Sequence, residues 1–137
     1  MTRDYGQLCP IARTLDIIGD RWTLLILRDL FLGAARFSEF REHSPGLPTK
    51  MLSDRLKSLE SQGVIERRIY SEHPLRAEYL LTARGRSLEP VLSAIFDWGM
   101  KHAIAPAERP AIRKHVAARY ARTRATQPPA SARTTNA

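Results

Sequence analysis

The hydrophobic positions near the start of the chain follow a helical period. In residues 10–18, Ile11, Leu15 and Ile18 fall on one face, which predicts an amphipathic helix. Residues 21–32, RWTLLILRDLFL, are apolar nearly all round. Because a helix of that kind must be covered on several sides, we expect it at the centre of the fold.

The next segment has a weaker pattern. Asp20 is a candidate N-cap of the central helix. Residues 35–37 are a candidate short strand, and Ser38 is a candidate N-cap for a short helix at 39–43. The sequence SPGLP then interrupts the chain, since proline and glycine both break regular structure.

A second amphipathic helix is predicted at the end of this break, with Pro48 in its first turn and its end at about Ser61, before Gly63. Leu52, Leu56 and Leu59 share one side of it, which predicts that this side is buried. The other side carries four polar residues: Lys50, Asp54, Lys57 and Ser61.

After this helix the period changes to that of a strand. VIERRIY (64–70) and EYLLT (78–82) are rich in β-branched and aromatic residues, so they predict a β-hairpin with a polar turn at 71–77. An apolar stripe then predicts a helix over about 83–102, which Pro90 must either kink or restart.

This order of elements indicates a way of binding DNA. Within residues 38–62, two short helices joined by a tight turn form a helix-turn-helix pattern, and the hairpin that follows has the position of a wing. The second helix can place its polar side in the major groove, which is wide enough to admit a helix. The expected fold is mainly α-helical with a small β-hairpin, a winged helix-turn-helix.

The candidate DNA-binding residues lie on the polar side of that helix and along the hairpin. They are Thr49, Lys50, Ser53, Asp54 and Lys57 on the helix, and Arg67, Arg68, His73 and Arg76 on the hairpin. Lysine can donate to guanine, aspartate can accept from cytosine, and hairpin cations can reach phosphates or the minor groove. The ordinary structural explanations are a solvated helix face and a polar loop.

Five segments of the chain resemble one family. They are CPIARTLDIIGDRW (9–22), RFSEF (36–40), KMLSDRLKSLESQGVIERRIY (50–70), EYLLTARGRSL (78–88) and DWG (97–99). In this order and spacing they resemble the HxlR-type winged helix-turn-helix transcription regulators, relatives of the MarR type. The resemblance implies a homodimer, assembled through its N- and C-terminal helices, that binds a palindromic operator in double-stranded DNA. We interpret the regulator as a repressor.

The expected dimer has candidate contact residues at both ends of the domain. They are Ile11, Leu15, Leu92, Ile95, Phe96 and Trp98. A chain of about 100 ordered residues has a limited core in which to bury side chains of this size. The alternative is that they belong to an ordinary core.

Cys9 is the only cysteine, so it cannot form a disulfide within the chain. The resemblance implies a candidate redox sensor at this position, and a thiol at a first helical turn can be a better nucleophile. The alternative is an inert cysteine packed under the dimer helix. A small-molecule effector is the other candidate signal.

The charge distribution separates a domain from a basic tail. Residues 105–137 hold seven Lys and Arg residues against one acidic residue, so +6 of the net charge of +8 lies there. DNA binding must therefore be inferred from where charge lies on a surface. We expect an arm at 1–8, the winged helix-turn-helix domain at 9–104, and a partly disordered tail with a marginal helix at 111–121 and disorder over 123–137.

Other function classes have little support in the sequence. The four histidines are scattered, and there is no Gly-rich phosphate loop, so we expect no metal, no cofactor and no enzymatic activity. No apolar run reaches about 18 residues and the N-terminus lacks the layout of a signal peptide, which together with one cysteine predicts a cytoplasmic protein without a membrane span. The remaining alternative is a winged helix used only for protein–protein contact.

Overall fold

The architecture is mainly helical with a two-stranded antiparallel sheet, as the sequence predicts. The computed structural model describes residue 6 and residues 8–33 and 35–126. Its elements in chain order are α1 (Pro10–Ile18), α2 (Thr23–Phe31), α3 (Phe37–His43), α4 (Thr49–Ser61), β1 (Ile65–Glu72), β2 (Leu75–Leu81), α5 (Ala83–Arg86), α6 (Glu89–His102), a 3-10 turn (Pro106–Glu108) and α7 (Arg109–Thr126).

Helix α2 lies at the centre of the hydrophobic core, as its nearly continuous apolar sequence predicts. Ile26, Leu27 and Leu30 of this helix are almost fully buried. They form one cluster with residues from the surrounding elements: Ile18, Phe40, Leu47, Leu52, Leu56, Leu59, Val64 and Ile65. Because α4 contributes three leucines to this cluster, its apolar side fixes it to the body of the domain.

The start of α2 is set by Asp20. Its Oδ1 accepts the backbone N–H of Trp22 at 2.9 Å and that of Thr23 at 3.0 Å. Asp20 thus satisfies two backbone N–H groups just before α2, but Trp22 occupies the N-cap position, so Asp20 is not the N-cap that the sequence predicts. The two residues after Asp20 form a turn around the carboxylate, so the helix begins at Thr23, two residues later than predicted.

The predicted strand at residues 35–37 is wrong, because Phe37 is already the first residue of α3. One backbone hydrogen bond still joins this segment to the hairpin, from the N–H of Tyr79 to the carbonyl of Ala35 at 2.7 Å. A single hydrogen bond does not define a strand. It holds the segment before α3 against β2.

The predicted N-cap at Ser38 is also wrong, since this residue lies inside α3. Arg36 occupies the capping position, and its backbone N–H donates to Oε1 of Glu39 at 3.0 Å. The carboxylate of the third helical residue thus satisfies an amide group at the start of the helix.

The hairpin is longer, and its turn is tighter, than predicted. Strand β1 pairs with β2 from Ile65 opposite Leu81 to Glu72 opposite Leu75. Residues 73–74 remain between the strands, where the sequence predicts a seven-residue turn. Residues 71–77 are mostly polar, and Leu75 among them is 62% exposed, so this part of the hairpin lacks the apolar alternation on which strand prediction depends.

A close contact fixes the base of the hairpin to α5. Oγ1 of Thr82 accepts the N–H of Gly85 at 3.1 Å and lies 2.5 Å from the carbonyl oxygen of Gly63. A Cβ added at Gly85 would lie 2.1 Å from the carbonyl oxygen of Val64, so a glycine is required there. The segment after α4, the start of β1 and α5 are therefore packed as one unit.

Pro90 restarts the helix rather than kinking it. Helix α6 begins at Glu89, so the proline stands in its first turn, where its missing N–H costs no helical hydrogen bond. The predicted helix over 83–102 is thus two helices, α5 and α6, separated by residues 87–88.

The helix near the C-terminus is longer than the predicted segment at 111–121. Helix α7 runs from Arg109 to Thr126, so the prediction of disorder is wrong for residues 123–126. The rest of the predicted disordered tail, residues 127–137, lies outside the described residues.

Candidate DNA-binding surface

Helix α4 has one buried side and one exposed side. Leu52, Leu56 and Leu59 are at most 1% exposed and pack into the core. The residues on the opposite side, Lys50, Asp54, Lys57 and Ser61, are all exposed. The leucines therefore hold α4 so that its polar side faces away from the domain.

The structure brings the predicted α4 residues onto one surface, with one difference among them. Thr49, Lys50, Asp54 and Lys57 are exposed, whereas Ser53 is half-buried. Lys50, Asp54 and Lys57 are three or four residues apart, so they are neighbours on the same side of the helix. Two cations and one carboxylate can therefore face the same ligand surface.

A polar cluster around the buried side chain of Asp29 lies at the turn that precedes α4. Asp29 of α2 is fully buried, and its Oδ1 lies 3.0 Å from Nε of Arg28 and 3.9 Å from Nδ1 of His43. Nη2 of Arg28 also donates to Oγ of Ser44 at 3.3 Å. Because Ser44 follows the last residue of α3, the cluster fixes the direction in which the chain turns toward α4.

Sequence reasoning missed this cluster. The available signal was an aspartate inside a helix that is otherwise almost entirely apolar, since a buried charge in such a place needs partners. The identity of the partners depends on how α2 and α3 pack, which the local pattern does not contain.

A second polar contact joins α4 to the junction between α1 and α2. Nε of Arg55 lies 3.4 Å from Oδ1 of Asp20. Burial on its own raises the pKa of Asp20, but this effect is outweighed by hydrogen bonds from the Thr23 hydroxyl and from the backbone N–H groups of Trp22 and Thr23, and by the charge of Arg55. The pKa of Asp20 therefore lies below its ordinary value of 3.8, and the carboxylate is charged at neutral pH.

The hairpin extends beyond the core as a wing, with positive charge along it. Its four predicted DNA-binding residues, Arg67, Arg68, His73 and Arg76, are exposed. Arg68 has an acidic neighbour, since its Nη2 lies 3.4 Å from Oε1 of Glu66. The positive field of the hairpin is therefore weaker around Arg68.

The position of Arg76 differs from the prediction. The sequence predicts that Arg76 lies in the turn, but it is the second residue of β2 and stands opposite Ser71. His73 and Pro74 form the tip. Strand pairing therefore holds the backbone of Arg76 in place, while its side chain remains exposed.

Apolar side chains are exposed on α1 and α6, away from the core cluster. Ile11 is 72% exposed and Trp98 is 64% exposed. Leu15, Ile95 and Phe96 are also exposed. Leu92, the remaining predicted contact residue, is half-buried and packs against the core. A single protomer thus leaves large apolar groups uncovered on its first helix and on α6.

Cys9 is the residue before α1, at its N-cap position, and it is exposed in the protomer. It lies beside the exposed apolar side chains at the start of α1, of which Ile11 is the nearest along the chain. Its thiol is therefore accessible to a reagent in solution.

Two other features bear on function. Within residues 6, 8–33 and 35–126, no group of three or more His, Cys, Asp and Glu side chains is arranged to hold a metal ion. Across the same residues, no helix combines the length and the apolar character needed to cross a bilayer.

Comparisons with known proteins agree with this architecture. A sequence model described as HxlR-like helix-turn-helix matches residues 17–106. An HTH-type transcriptional regulator of Synechocystis sp. is 45% identical over 96 residues, which are 70% of this chain and 71% of the relative. The HTH-type transcriptional regulator YdeP of Bacillus subtilis is 44% identical over 99 residues, covering 72% and 77% of the two chains.

Solved structures of the same type align with the fold. The redox regulator HypR in its oxidized form has 36% sequence identity and a TM-score of 0.66, and the alignment covers 71% of this chain and 100% of that chain. The hairpin, the helix-turn-helix and these alignments define a transcriptional regulator with a winged helix-turn-helix DNA-binding fold. The chain belongs to the HxlR-like helix-turn-helix family, as its sequence motifs predict.

Proposed function

We propose that the protein acts in the cytoplasm as a homodimer that binds a palindromic operator and represses transcription there. The observation that carries this proposal is the exposed polar side of α4, which stands opposite three buried leucines. A dimer bound across a promoter excludes other proteins from the same DNA, and repression is the effect expected of such binding.

The residues of α4 have distinct proposed roles. Lys50 and Lys57 donate to guanine acceptors or to phosphates, and Asp54 accepts from a cytosine amino group. Thr49 and Ser53 hydrogen-bond to base edges or to the backbone. The exposure of four of these five residues supports the assignment, and half-burial favours a backbone contact for Ser53.

The hairpin has a positioning role in this proposal. Arg67, Arg68, His73 and Arg76 contact phosphates or the adjacent minor groove and so set the orientation of α4 in the major groove. Their exposure supports this role. Because Arg68 lies beside Glu66, we expect it to contribute less than Arg76.

The proposed dimer covers the apolar groups that one protomer leaves exposed. Ile11 and Leu15 of α1, and Ile95, Phe96 and Trp98 of α6, then pack against their counterparts in the partner, with Leu92 at the edge of the core. Adjacent half-sites are about 34 Å apart, one turn of DNA, so we expect the two-fold axis of the dimer to separate the two copies of α4 by about that distance.

Thiol oxidation is the proposed signal. One Cys9 from each of two protomers loses one electron and one proton, the two sulfurs form a disulfide, and a peroxide accepts the electrons and protons to give water. The exposure of Cys9 beside the proposed dimer helix supports this step. A small-molecule effector is the alternative signal. Cys9→Ser should remove the response of operator binding to peroxide, and a variant that responds like the wild type would exclude Cys9.

A winged helix that docks only proteins is the second candidate. Such a surface needs aromatic or aliphatic anchors at its centre. The exposed side of α4 instead carries Lys50, Asp54, Lys57 and Ser61, so the geometry favours DNA.

The test is a selection of bound sequences from a random pool of duplex DNA. We expect an inverted repeat whose half-sites are about one helical turn apart. Recovery of sequences without any shared motif, at a salt concentration near 0.15 M, would exclude operator recognition.

The same selection with Lys50→Ala tests the assignment of α4. We expect weaker operator binding and a relaxed preference at one position of each half-site, by about 1–3 kcal/mol if Lys50 contacts a base edge. Lys114→Ala is the matched control, because it removes the same charge from an exposed position on α7. If both variants select the same motif as the wild type, Lys50 does not read a base.

A further inference from the structure

We propose that Asp20 and Arg55 form a positioning pair that sets the orientation of α4 on DNA. Operator choice then depends on two residues that lie outside the exposed polar side of α4. This inference rests on the proposed function. It assigns a DNA-binding role to a contact between α4 and the α1–α2 junction.

Arg55 is placed away from the side of α4 that faces outward. It lies three residues after Leu52 and directly before Leu56, at the edge of the buried stripe. Its side chain is 16% exposed, although arginine is ordinarily an exposed residue. Nε lies 3.4 Å from Oδ1 of Asp20, so the guanidinium lies beside the α1–α2 junction and forms an ion pair there.

Asp20 is held rigidly where it meets Arg55. Its Oδ1 accepts two backbone N–H groups at the start of α2, and the hydroxyl of Thr23 donates to Oδ2. Although the Asp20 side chain is 29% exposed, these three hydrogen bonds attach its carboxylate to the start of the buried helix α2.

The pair also connects two elements with different proposed tasks. Asp20 follows Gly19, whose N–H caps the end of α1 by donating to the carbonyl of Leu15 at 2.8 Å. Helix α1 has exposed apolar residues and follows Cys9, whereas α4 has the polar side that we propose contacts DNA. A displacement of the α1–α2 junction therefore acts directly on α4 through the ion pair.

Hydrogen bonds to bases are sensitive to such displacements, while attraction to phosphates is not. A hydrogen bond weakens steeply when its geometry changes, whereas the attraction of a cation to the phosphate backbone changes slowly with distance. Loss of the pair should therefore reduce binding to the operator more than binding to unrelated DNA. The released Arg55 adds a positive charge that favours all sequences equally.

The experiment compares affinity for the selected operator with affinity for a scrambled duplex of equal length. Asp20→Asn keeps a side chain that can cap α2 but removes the charge that holds Arg55. We expect the ratio of the two affinities to fall about tenfold, equivalent to about 1.4 kcal/mol. Glu108→Gln, which removes one negative charge from an exposed position outside the domain core, should leave the ratio unchanged.

A second variant and a double variant separate positioning from stability. Arg55→Lys retains the charge and loses the planar guanidinium, so it should lower the ratio by a smaller factor. Arg55→Gln is measured alone and in the double variant Asp20→Asn/Arg55→Gln, which leaves a neutral pair, and the effect of the double variant should be smaller than the product of these two single effects. All measurements are made where circular dichroism shows the variants to be folded.

Three results distinguish the outcomes. Equal losses of affinity for operator and scrambled DNA would overturn the inference, because they indicate only a smaller folded fraction. An unchanged ratio in both single variants would overturn it as well, while leaving operator recognition intact. A wild-type protein without sequence preference would overturn the proposed function, and this inference with it.

Discussion

Removal of Arg76 should change the salt dependence of DNA binding by an amount that the structure allows us to estimate. The side chain is exposed on β2, two residues from the tip of the hairpin, where it can reach a phosphate. In the proposed dimer, Arg76→Ala removes two such contacts. Each phosphate contact contributes about 0.9 to the slope of log K against log salt, so the slope should become about 1.8 less steep.

This difference is large enough to measure by fluorescence anisotropy on a labelled duplex. Over a fourfold rise in salt, the wild type should lose about twelvefold more affinity than the variant. The weakening at low salt should be similar for operator and scrambled DNA, because phosphates carry no sequence information.

Two further variants make the estimate specific to the hairpin. Arg68→Ala should change the slope less than Arg76→Ala, since Arg68 lies 3.4 Å from Glu66. Arg113→Ala removes the same charge from an exposed position on α7 and should leave the slope unchanged. Equal slopes for Arg76→Ala and the wild type would refute the placement of the hairpin on DNA, whereas an equal change for Arg113→Ala would indicate that α7 contacts DNA as well.

The remaining predictions concern stability, measured by urea unfolding at a fixed chain concentration. Leu56→Ala should lower the free energy of unfolding by about 2–5 kcal/mol because its side chain is 1% exposed, whereas Lys57→Ala should change it by less than about 0.5 kcal/mol; equal effects would contradict the orientation of α4. Gly85→Ala should cost about 1–3 kcal/mol, since the added Cβ would lie 2.1 Å from the carbonyl oxygen of Val64, and an unchanged stability would contradict that contact. The pKa of Asp20 is lower in the folded state than its ordinary value of 3.8, so the charged carboxylate stabilises the fold fully above pH 3.8. This stabilisation is lost as the pH falls through the folded-state pKa, and the difference in unfolding free energy between wild type and Asp20→Asn should shrink only in that acidic range. A loss of the difference near neutral pH would contradict the assignment.

Parts of the fold could be predicted because local chemistry determines them. Helix α1 begins at Pro10 and ends before Gly19, as predicted, since proline fits a first helical turn and glycine is common at a helix end. The leucine spacing predicts the buried side of α4, and those leucines are buried. In both helices the pattern within one segment contains the information needed.

The errors lie where a contact between distant segments decides the local structure. Residues 35–37 have strand-like composition, but Glu39 satisfies the backbone at the start of α3 and begins the helix early. The outer residues of the hairpin are mostly polar, so their pairing could not be inferred from alternation. The sequence allowed Pro90 either to kink a single helix or to start a new one. The structure has a break between α5 and α6, with Gly85 of α5 packed against Val64.

The sequence predicts the exposed residues of the candidate site but not the residues that hold those elements in place. Lys50 and Lys57 follow from the helical period, because exposed positions need no partner to be identified. Asp29 lies near His43 of α3, and Arg55 lies near Asp20 of the α1–α2 junction; these contacts appear only when the segments are packed. Sequence reasoning therefore identifies candidate readers, while the structure identifies what holds them in place.

Specific binding to one operator needs more discrimination than a single copy of α4 can provide. The exposed apolar side chains of α1 and α6 allow a second copy to be added. A single copy of α4 offers few base contacts, each worth about 1–3 kcal/mol of discrimination, which is little against the many competing sites in a genome. Joining two copies makes the second half-site contact intramolecular, so it gains a high effective concentration without any new contact. The gain requires a fixed distance between the two helices, and packing of large groups such as Ile11 and Trp98 against a partner can fix it. We therefore expect that a folded monomeric variant with charged residues at these two positions binds the full operator no more tightly than a single half-site, and retains only the small preference over unrelated DNA that one α4 provides.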